Sequence, residues 1–482
     1  MPSKNTIISS LFWKFFERCG AQLIQFFLTI ILARVLAPND FGLVALVTVF
    51  ITFANVFVQS GLNTALIQKK NSDNLDFSTV FIASIGVATI LYIVLFFCAP
   101  LIAQFYNNET LIPVIRVLSI TLFLGAINSV QLAYISKNML FKKLFYRSLG
   151  AMIPSGILGV IFALAHFGVW ALVIQQLSNV FLAIVIMWFT VPWRPKMEFS
   201  FSRLKGLFSF GWKLLCSAII DTGYNNLTGL IIGKMFSPAD LAYYNRGEHF
   251  PNFVVNNINS SIQSVMLPSL SAHQDDKPQM KRLMRRAIKT SSFVIIPLMT
   301  GLAVLAKPVV LLLLGEKWLP SVPFIQVYCF IYLLYPIHTS NLSAINAMGR
   351  SDIFLKLEII KKCVGLTFLI GGLYYFKSPI GIAYGASIST LINAFVNANP
   401  NKKLMGYGYF EQIKDIFPSF FIAAPMGACV YAVGLLNLPI LPGLCLQTLC
   451  GIIFYFSLAK IFKLESFDYL LNTVKEFRNG RK

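Results

Sequence analysis

The sequence predicts an all-α integral membrane protein of about fourteen transmembrane helices, two six-helix lobes related by a parallel repeat followed by two extra C-terminal helices. Three observations carry that reading. Of the 482 residues, 56% are hydrophobic and only 12% charged, a balance that excludes a soluble globular protein. Apolar runs of about 20 residues, the length that crosses ~30 Å of hydrocarbon, recur along the whole chain with short polar breaks. The runs are continuous rather than alternating, so they satisfy their backbone groups as helices and not as a barrel.

The first span, 11–36, carries Lys14, Glu17 and Arg18 and shows no small-residue cleavage pattern, so it reads as a retained helix and not a signal peptide. Pro38 stops it and Asp40 is placed to cap the second, 41–66. The others follow at 77–103, 112–136, 147–166, 169–191, 206–232, 241–270, 289–314, 321–347, 353–376, 379–400, 413–435 and 438–461. This places the lobes at 1–200 and 201–405, with the extra pair of helices and a tail at 406–482.

The net charge of +21 would suit nucleic acid, but its distribution excludes that partner. Cations gather after every even-numbered span: Lys69 and Lys70; Lys137, Lys142, Lys143 and Arg147; Arg194 to Lys205; Lys277 to Lys289; Arg350 to Lys362; Lys402 and Lys403. The opposite loops are short and nearly uncharged. That is the positive-inside pattern, with both termini cytoplasmic and attraction to anionic lipid as a secondary effect. Loops so short on the outer side leave no room for a folded domain acting on a large external substrate. KRLMRRAIK, 281–289, reads as an amphipathic cytoplasmic linker. The eight cysteines lie in apolar runs without CxxC pairing, as packing residues. No metal constellation, nucleophile triad or phosphate-cradling glycine loop appears, so no enzyme, cofactor or metal is expected.

The lobes announce themselves as a repeat. LARVLAPNDFGLVAL, 32–46, is echoed by IGKMFSPADLAYYNR, 232–246, with a cation, a Pro and an Asp at matching places. Trp13-Lys14 matches Trp212-Lys213, PVIRV at 113–117 matches PFIQV at 323–327, and FGVWALV at 167–173 matches PIGIAYG at 379–385. An even number of helices per unit gives both copies the same orientation, which favours a site between lobes and alternating access.

Polar residues concentrate on spans two and eight. Asn245, His249, Asn252, Asn256, Asn259 and Gln263 recur at steps of three and four and share one helical face, and Thr48, Thr52, Asn55, Gln59 and Asn63 form a matching stripe. Amides facing lipid are costly, so each stripe must face a wet cavity or another helix. Interhelical hydrogen bonding is the alternative. Lys14, Arg18, Lys213 and Arg246 add cations, and Glu17, Asp221 and Glu248 add carboxylates available for ion coupling. Arg34 and Lys234 sit at helix ends and read as snorkelling cations. His338, the counterpart of Asn128, reads as a hydrogen-bonded interior residue, whereas His166 and His273 read as loop residues.

The ending LARVLAPNDFG, the following QSGLNTALIQKK (59–70) and NINSSIQSVMLPSLS (257–271) resemble the polysaccharide-exporter branch of the multidrug/oligosaccharidyl-lipid/polysaccharide superfamily, and more narrowly its Wzx-type flippases. The resemblance implies a two-lobed bundle with helices one, two, seven and eight lining a central cavity. It implies transfer of a polyprenyl-diphosphate-linked oligosaccharide from the cytoplasmic to the periplasmic leaflet of a bacterial inner membrane, driven by a proton or sodium gradient, with a polysaccharide polymerase as possible partner. In that setting Lys14, Arg18, Lys213 and Arg246 would meet the diphosphate, and Asn55, Gln59, Asn252, Asn256 and Asn259 the sugars. Two alternatives stand beside it: a drug or cation exporter of the same fold, and a non-transporting scaffold.

Overall fold

Helices are the only regular structure among the described residues of the computed structural model, which are 4–59, 61–69 and 72–479. The chain divides into two compact units, residues 1–242 and 243–482.

The first unit holds α1 (Lys4–Val35), α2 (Pro38–Gln59), α3 (Leu62–Gln68), α4 (Asn74–Tyr106), α5 (Leu111–Leu118), α6 (Thr121–Lys137), α7 (Phe141–Leu164), α8 (Val169–Thr190) and α9 (Phe201–Met235). With α10 (Pro238–Ser271) the chain enters the second unit, which continues through α11 (Lys277–Leu313), a 3-10 turn (Glu316–Ser321), α12 (Val322–Leu333), α13 (Tyr335–Ala347), α14 (Ser351–Phe376), α15 (Pro379–Met405), α16 (Tyr409–Gly434), α17 (Ile440–Ile461) and α18 (Glu465–Asn479). The expected boundary at 200 falls in the extended segment between α8 and α9, and α9 packs with the first unit.

Eleven helical stretches among the described residues are long and apolar enough to cross a membrane. The spans expected at 206–232, 241–270 and 353–376 are present as α9, α10 and α14, but these three are not among the eleven. Their Asn, Lys, Asp and Glu content lowers their hydropathy, which is the composition of a helix with one wet side.

Three expected spans are broken. The second divides into α2 and α3 at Gly61, whose φ of +79° is the left-handed region open to glycine. A Cβ on Gly61 would stand 2.3 Å from the carbonyl oxygen of Gly211 in α9. The break therefore lets two backbones touch. The fourth divides at Ser119 and the tenth at Leu334, just before Pro336, which is placed where a helix tolerates its missing N–H.

In the first unit α7 packs on α8 and α1, and α2 packs on α6 and α9. Leu118, Leu122, Val47 and Val173 are buried to within 1% in one apolar cluster. The extended segment after α8 is held under α4: Trp193 is 5% exposed, its ring 5.7 Å from Phe77, and Ser78 and Thr79 hydroxyls accept from the Lys196 and Ser200 N–H groups at 3.0 and 3.2 Å. Arg203 at the start of α9 then reaches Asp73 at 2.9 Å and Asp76 at 3.0 Å. Asp76 is fully buried and also takes Lys69 at 2.6 Å.

In the second unit α11 packs on α16 and α14 on α15. KRLMRRAIK is not a separate linker but the opening of α11: Met280, Met284 and Ile288 are fully buried at steps of four, and the cations take the other faces. Asp276 caps it, its carboxylate accepting from the Gln279 N–H at 3.0 Å. Helix α18 lies beyond the expected spans. Its Phe467 ring is 5.9 Å from that of Phe456, and Glu465 pairs with Lys289 at 2.6 Å.

Two carboxylates outside the membrane spans set a pH dependence. The Asp76 N–H and then Arg203 hold Asp73 below the usual carboxylate range, and Lys289 does the same for Glu465. A depressed folded-state value means the stabilisation is present above the unfolded value of about 4 and is lost as pH falls through the folded one. Thermal unfolding in detergent should thus be level from about pH 7 to 5 and fall below about pH 4. A midpoint that rises on acidification would contradict these contacts.

Candidate functional site

Four helices carry exposed polar residues within lengths that match a membrane span. On α1, Lys14 and Arg18 are exposed, and Gln22, Gln25 and Thr29 continue the same face at steps of four, three and four. The Gln25 amide donates to the Thr29 hydroxyl at 3.5 Å. The Lys14 ammonium also stands 5.4 Å from the Phe141 ring. Glu17 is turned away, accepting from the Ser148 hydroxyl of α7 at 2.6 Å, with Arg147 close enough to act on its charge.

On α2, Thr52 and Gln59 are exposed and Thr48 and Asn55 partly so. Gln59 donates to the Asn55 amide oxygen at 3.4 Å, and Gly125 of α6 leaves the room for it, since a Cβ there would sit 3.0 Å from that oxygen. Deeper in the unit, Asn63 Oδ1, Asn128 Oδ1 and both amide atoms of Gln131 are buried with no partner among the described residues, positions that suit water.

Lys213 and Asp221 of α9 are exposed, and Ser217 and Asn225 between and beyond them are exposed too. The four recur at steps of four and make one polar stripe. A carboxylate and an ammonium on one helix at membrane depth cost roughly 2.5–3.5 kcal/mol each in lipid, so this face is read as wet.

On α10, Asn245, His249, Asn256 and Gln263 are exposed and Asn252 is half-buried. Asn256 donates to Asn252 along the stripe. Asn259 is only 7% exposed and belongs to the packed side. Arg246 lies over the buried Trp318 ring at 5.6 Å. Glu248 is beside the Tyr328 hydroxyl, which stands 2.5 Å from that of Tyr244.

The structure thus brings Asn55 together with Gln59, Asn252 with Asn256, and Lys213 with Asp221 on one face. It sets Glu17, Arg246, Glu248 and Asn259 into packing contacts. Gln22, Gln25, Thr29, Ser217 and Asn225 escaped the sequence reading, although their spacing from Arg18, Lys213 and Asp221 was the available signal. Among the described residues no group of His, Cys, Asp and Glu could hold a metal ion.

The chain resembles known proteins over nearly all its length. It is 24% identical over 414 residues, 84% of this chain and 83% of the relative, to the lipopolysaccharide biosynthesis protein WzxC of Escherichia coli (strain K12). It is 25% identical over 448 residues, 90% of each chain, to the teichuronic acid biosynthesis protein TuaB of Bacillus subtilis (strain 168). Its fold matches the lipid II flippase MurJ in an inward closed conformation with a TM-score of 0.75 at 15% identity, over 94% of this chain and 98% of that one. The pattern of the polysaccharide biosynthesis protein family covers residues 31–323. With exposed polar stripes on helices of membrane-spanning length and that match over more than half its length, this multi-pass membrane protein belongs to the polysaccharide biosynthesis protein family.

Proposed function

We propose that the chain is a flippase that carries a polyprenyl-diphosphate-linked oligosaccharide from the cytoplasmic to the periplasmic leaflet for surface polysaccharide synthesis, by ion-coupled alternating access of two six-helix lobes, 1–200 and 201–405, with the pair at 406–482 outside the repeat. The observation that carries this is the exposed polar stripe on each of α1, α2, α9 and α10, the helices the resemblance assigns to a central path. A glycan head needs amides and hydroxyls, and a diphosphate needs cations. Asn55, Gln59, Asn252 and Asn256 supply the first, while Lys14, Arg18 and Lys213 are exposed to supply the second; Arg246 and Asn259 would enter if the packing around them opened. The prenyl tail stays in lipid, so only the polar head needs such a path. Asp221, Glu17 and Glu248 are the carboxylates for a coupled proton or sodium ion.

The names of relatives and fold neighbours favour transport over catalysis. The basic loops favour cytoplasmic termini in an inner membrane, and a polymerase is the natural recipient of the flipped unit. The exposed Asp221 also suits a drug or cation exporter, the second reading.

The test is the pool and leaflet of polyprenyl-diphosphate-linked oligosaccharide in cells lacking this protein. Cytoplasmic accumulation, relieved by the intact chain, is expected. A Lys14→Ala, Lys213→Ala double variant should lose about tenfold or more in clearance, since a hydrogen bond to a charged group contributes roughly 1.5–3 kcal/mol. An unchanged pool sinks the flippase reading, and altered drug sensitivity in the same cells would favour the exporter.

A further inference from the structure

We propose that the second unit contains a hydrated proton-binding site at His338, fed by a column of asparagine oxygens along α15 and plugged on the basic-loop side by the Asn341–Gln412–Asn401 cluster. It deepens the reading of the chain as an ion-coupled flippase and rests on that reading for its role in transport.

The column is a set of unfinished hydrogen bonds. Asn393, Asn397 and Asn401 follow one another at steps of four on α15, and the side-chain oxygen of each is buried with no partner among the described residues. Asn397 and Asn401 are 1% and 0% exposed. Their nitrogens are all engaged: Asn393 Nδ2 with the Ser389 hydroxyl at 3.2 Å, Asn397 Nδ2 with His338 Nδ1 at 3.0 Å, and Asn401 Nδ2 with Asn341 Oδ1 at 2.6 Å. A buried acceptor left without a donor is destabilising, so three in a row call for water. Successive oxygens are about 6 Å apart along the helix, too far to bond one another and a fitting distance for one bridging water.

One end of the column is closed by amides that satisfy each other. Asn341 Nδ2 donates to Gln412 Oε1 at 2.7 Å, and Gln412 Nε2 donates back to Asn341 Oδ1 at 2.9 Å and to the Tyr407 carbonyl at 3.2 Å. The Tyr407 hydroxyl then donates to Asp415 at 2.8 Å, which Arg285 holds at 2.6 Å. His338 joins the column at its middle member, Asn397. Its Nδ1 accepts from Asn397, and the ring also bonds the Thr390 backbone. A hydronium ion in the column gives its proton to the Nδ1 lone pair and leaves as water. Nδ1–H is then a donor, and Asn397 meets it by turning its amide so that the oxygen now without a partner accepts.

Two helices face the imidazole. From α14, Lys361 acts on the ring but is itself paired with Glu358. From α15 come the Asn397 amide and the Thr390 backbone. The α11 charges Arg285 and Lys289 are directed to Asp415 at the far end. The fold alone does not require the column. In the register that aligns FGVWALV with PIGIAYG, the first copy has Phe181, Val185 and Phe189 where the second has Asn393, Asn397 and Asn401.

Two measurements test it. In the full chain with His166, His249 and His273 changed to Gln and the remaining imidazole labelled with nitrogen-15, Nδ1 should gain and lose a proton reversibly as the pH is taken from about 8 down to about 4, and Asn397→Leu should abolish or displace that titration. In cells, His338→Gln, which keeps an amide partner for Asn397, should lower clearance of the lipid-linked pool about tenfold, to the level the intact chain shows with an uncoupler, and be insensitive to further uncoupler. A ring that takes no proton in that range, or a His338→Gln chain with the intact response to uncoupler, would overturn the proposal and leave the column as interhelical bonding. If the intact chain clears no pool, the flippase reading fails and the nitrogen-15 titration alone decides the site.

Discussion

Gly42→Ala is expected to cost roughly 2–4 kcal/mol of stability, an unusually large penalty for adding one methyl group. A Cβ at Gly42 would lie 1.7 Å from the carbonyl oxygen of Pro238 and 2.3 Å from its carbon. Those are backbone atoms, which cannot rotate aside as a side chain can, so α2 and the start of α10 would have to separate. The contact joins the first hinge motif to the second: the glycine of LAPNDFG lies against the proline of FSPAD. Nearby, Leu46 fills the space a side chain at Gly233 would need, its Cδ2 at 2.1 Å. Thermal unfolding in detergent and the yield of monodisperse protein should both fall for Gly42→Ala. Gly86→Ala is the control, because a Cβ there meets nothing within 4 Å and alanine favours a helix by about 1 kcal/mol. Equal melting of the two variants would contradict the close approach.

The second large effect is expected at Asp76. This carboxylate is 0% exposed and takes Lys69 at 2.6 Å, Arg203 at 3.0 Å and the Asp73 N–H at 3.2 Å. Breaking a buried pair from one side costs about 3–5 kcal/mol, but Lys69 and Arg203 are each about a third exposed and regain water, so Asp76→Ala should cost about 2–3 kcal/mol. Arg203→Ala should cost less, since Asp76 keeps Lys69 and Asp73 is exposed. The order of the two melting points is the test. It also reports on function: Arg203 ties the start of α9 to α4, so its loss should leave a folded chain with altered translocation rather than an unfolded one.

Much of the fold was legible because a bilayer imposes length and apolarity on each crossing segment: the fourteen expected stretches all became helices or helix pairs, and among the described residues eleven of them are long and apolar enough to cross a membrane. The breaks were not legible. Ser60 itself lies outside the described residues, but Gly61 bends the second span because Gly211 lies against it, a neighbour 150 residues away in sequence. Helix α18 escaped because 15 residues with several charges are too short and polar for a span, and its seat is the aromatic surface of Phe293 and Phe456 together with the Lys289 pair, Phe293 and Lys289 being distant in sequence.

At the candidate site, spacing found the stripes on α2 and α10 but not their limits. Asn259 shares the α10 periodicity and is packed, while Ser217 and Asn225 on α9 are open. Glu17 was a candidate for coupling by charge alone, and the structure gives it the Ser148 hydroxyl. By itself the sequence determined that the chain crosses a membrane many times, where its helices lie and which faces are polar, since these follow from local composition and a period of 3.6. Tertiary structure alone decided which polar groups are engaged and which are open, because burial and partnership depend on residues brought together from distant parts of the chain. The asparagines of α15 show the difference: in sequence they are three polar residues in an apolar run, and in the fold they become three buried oxygens that need a partner.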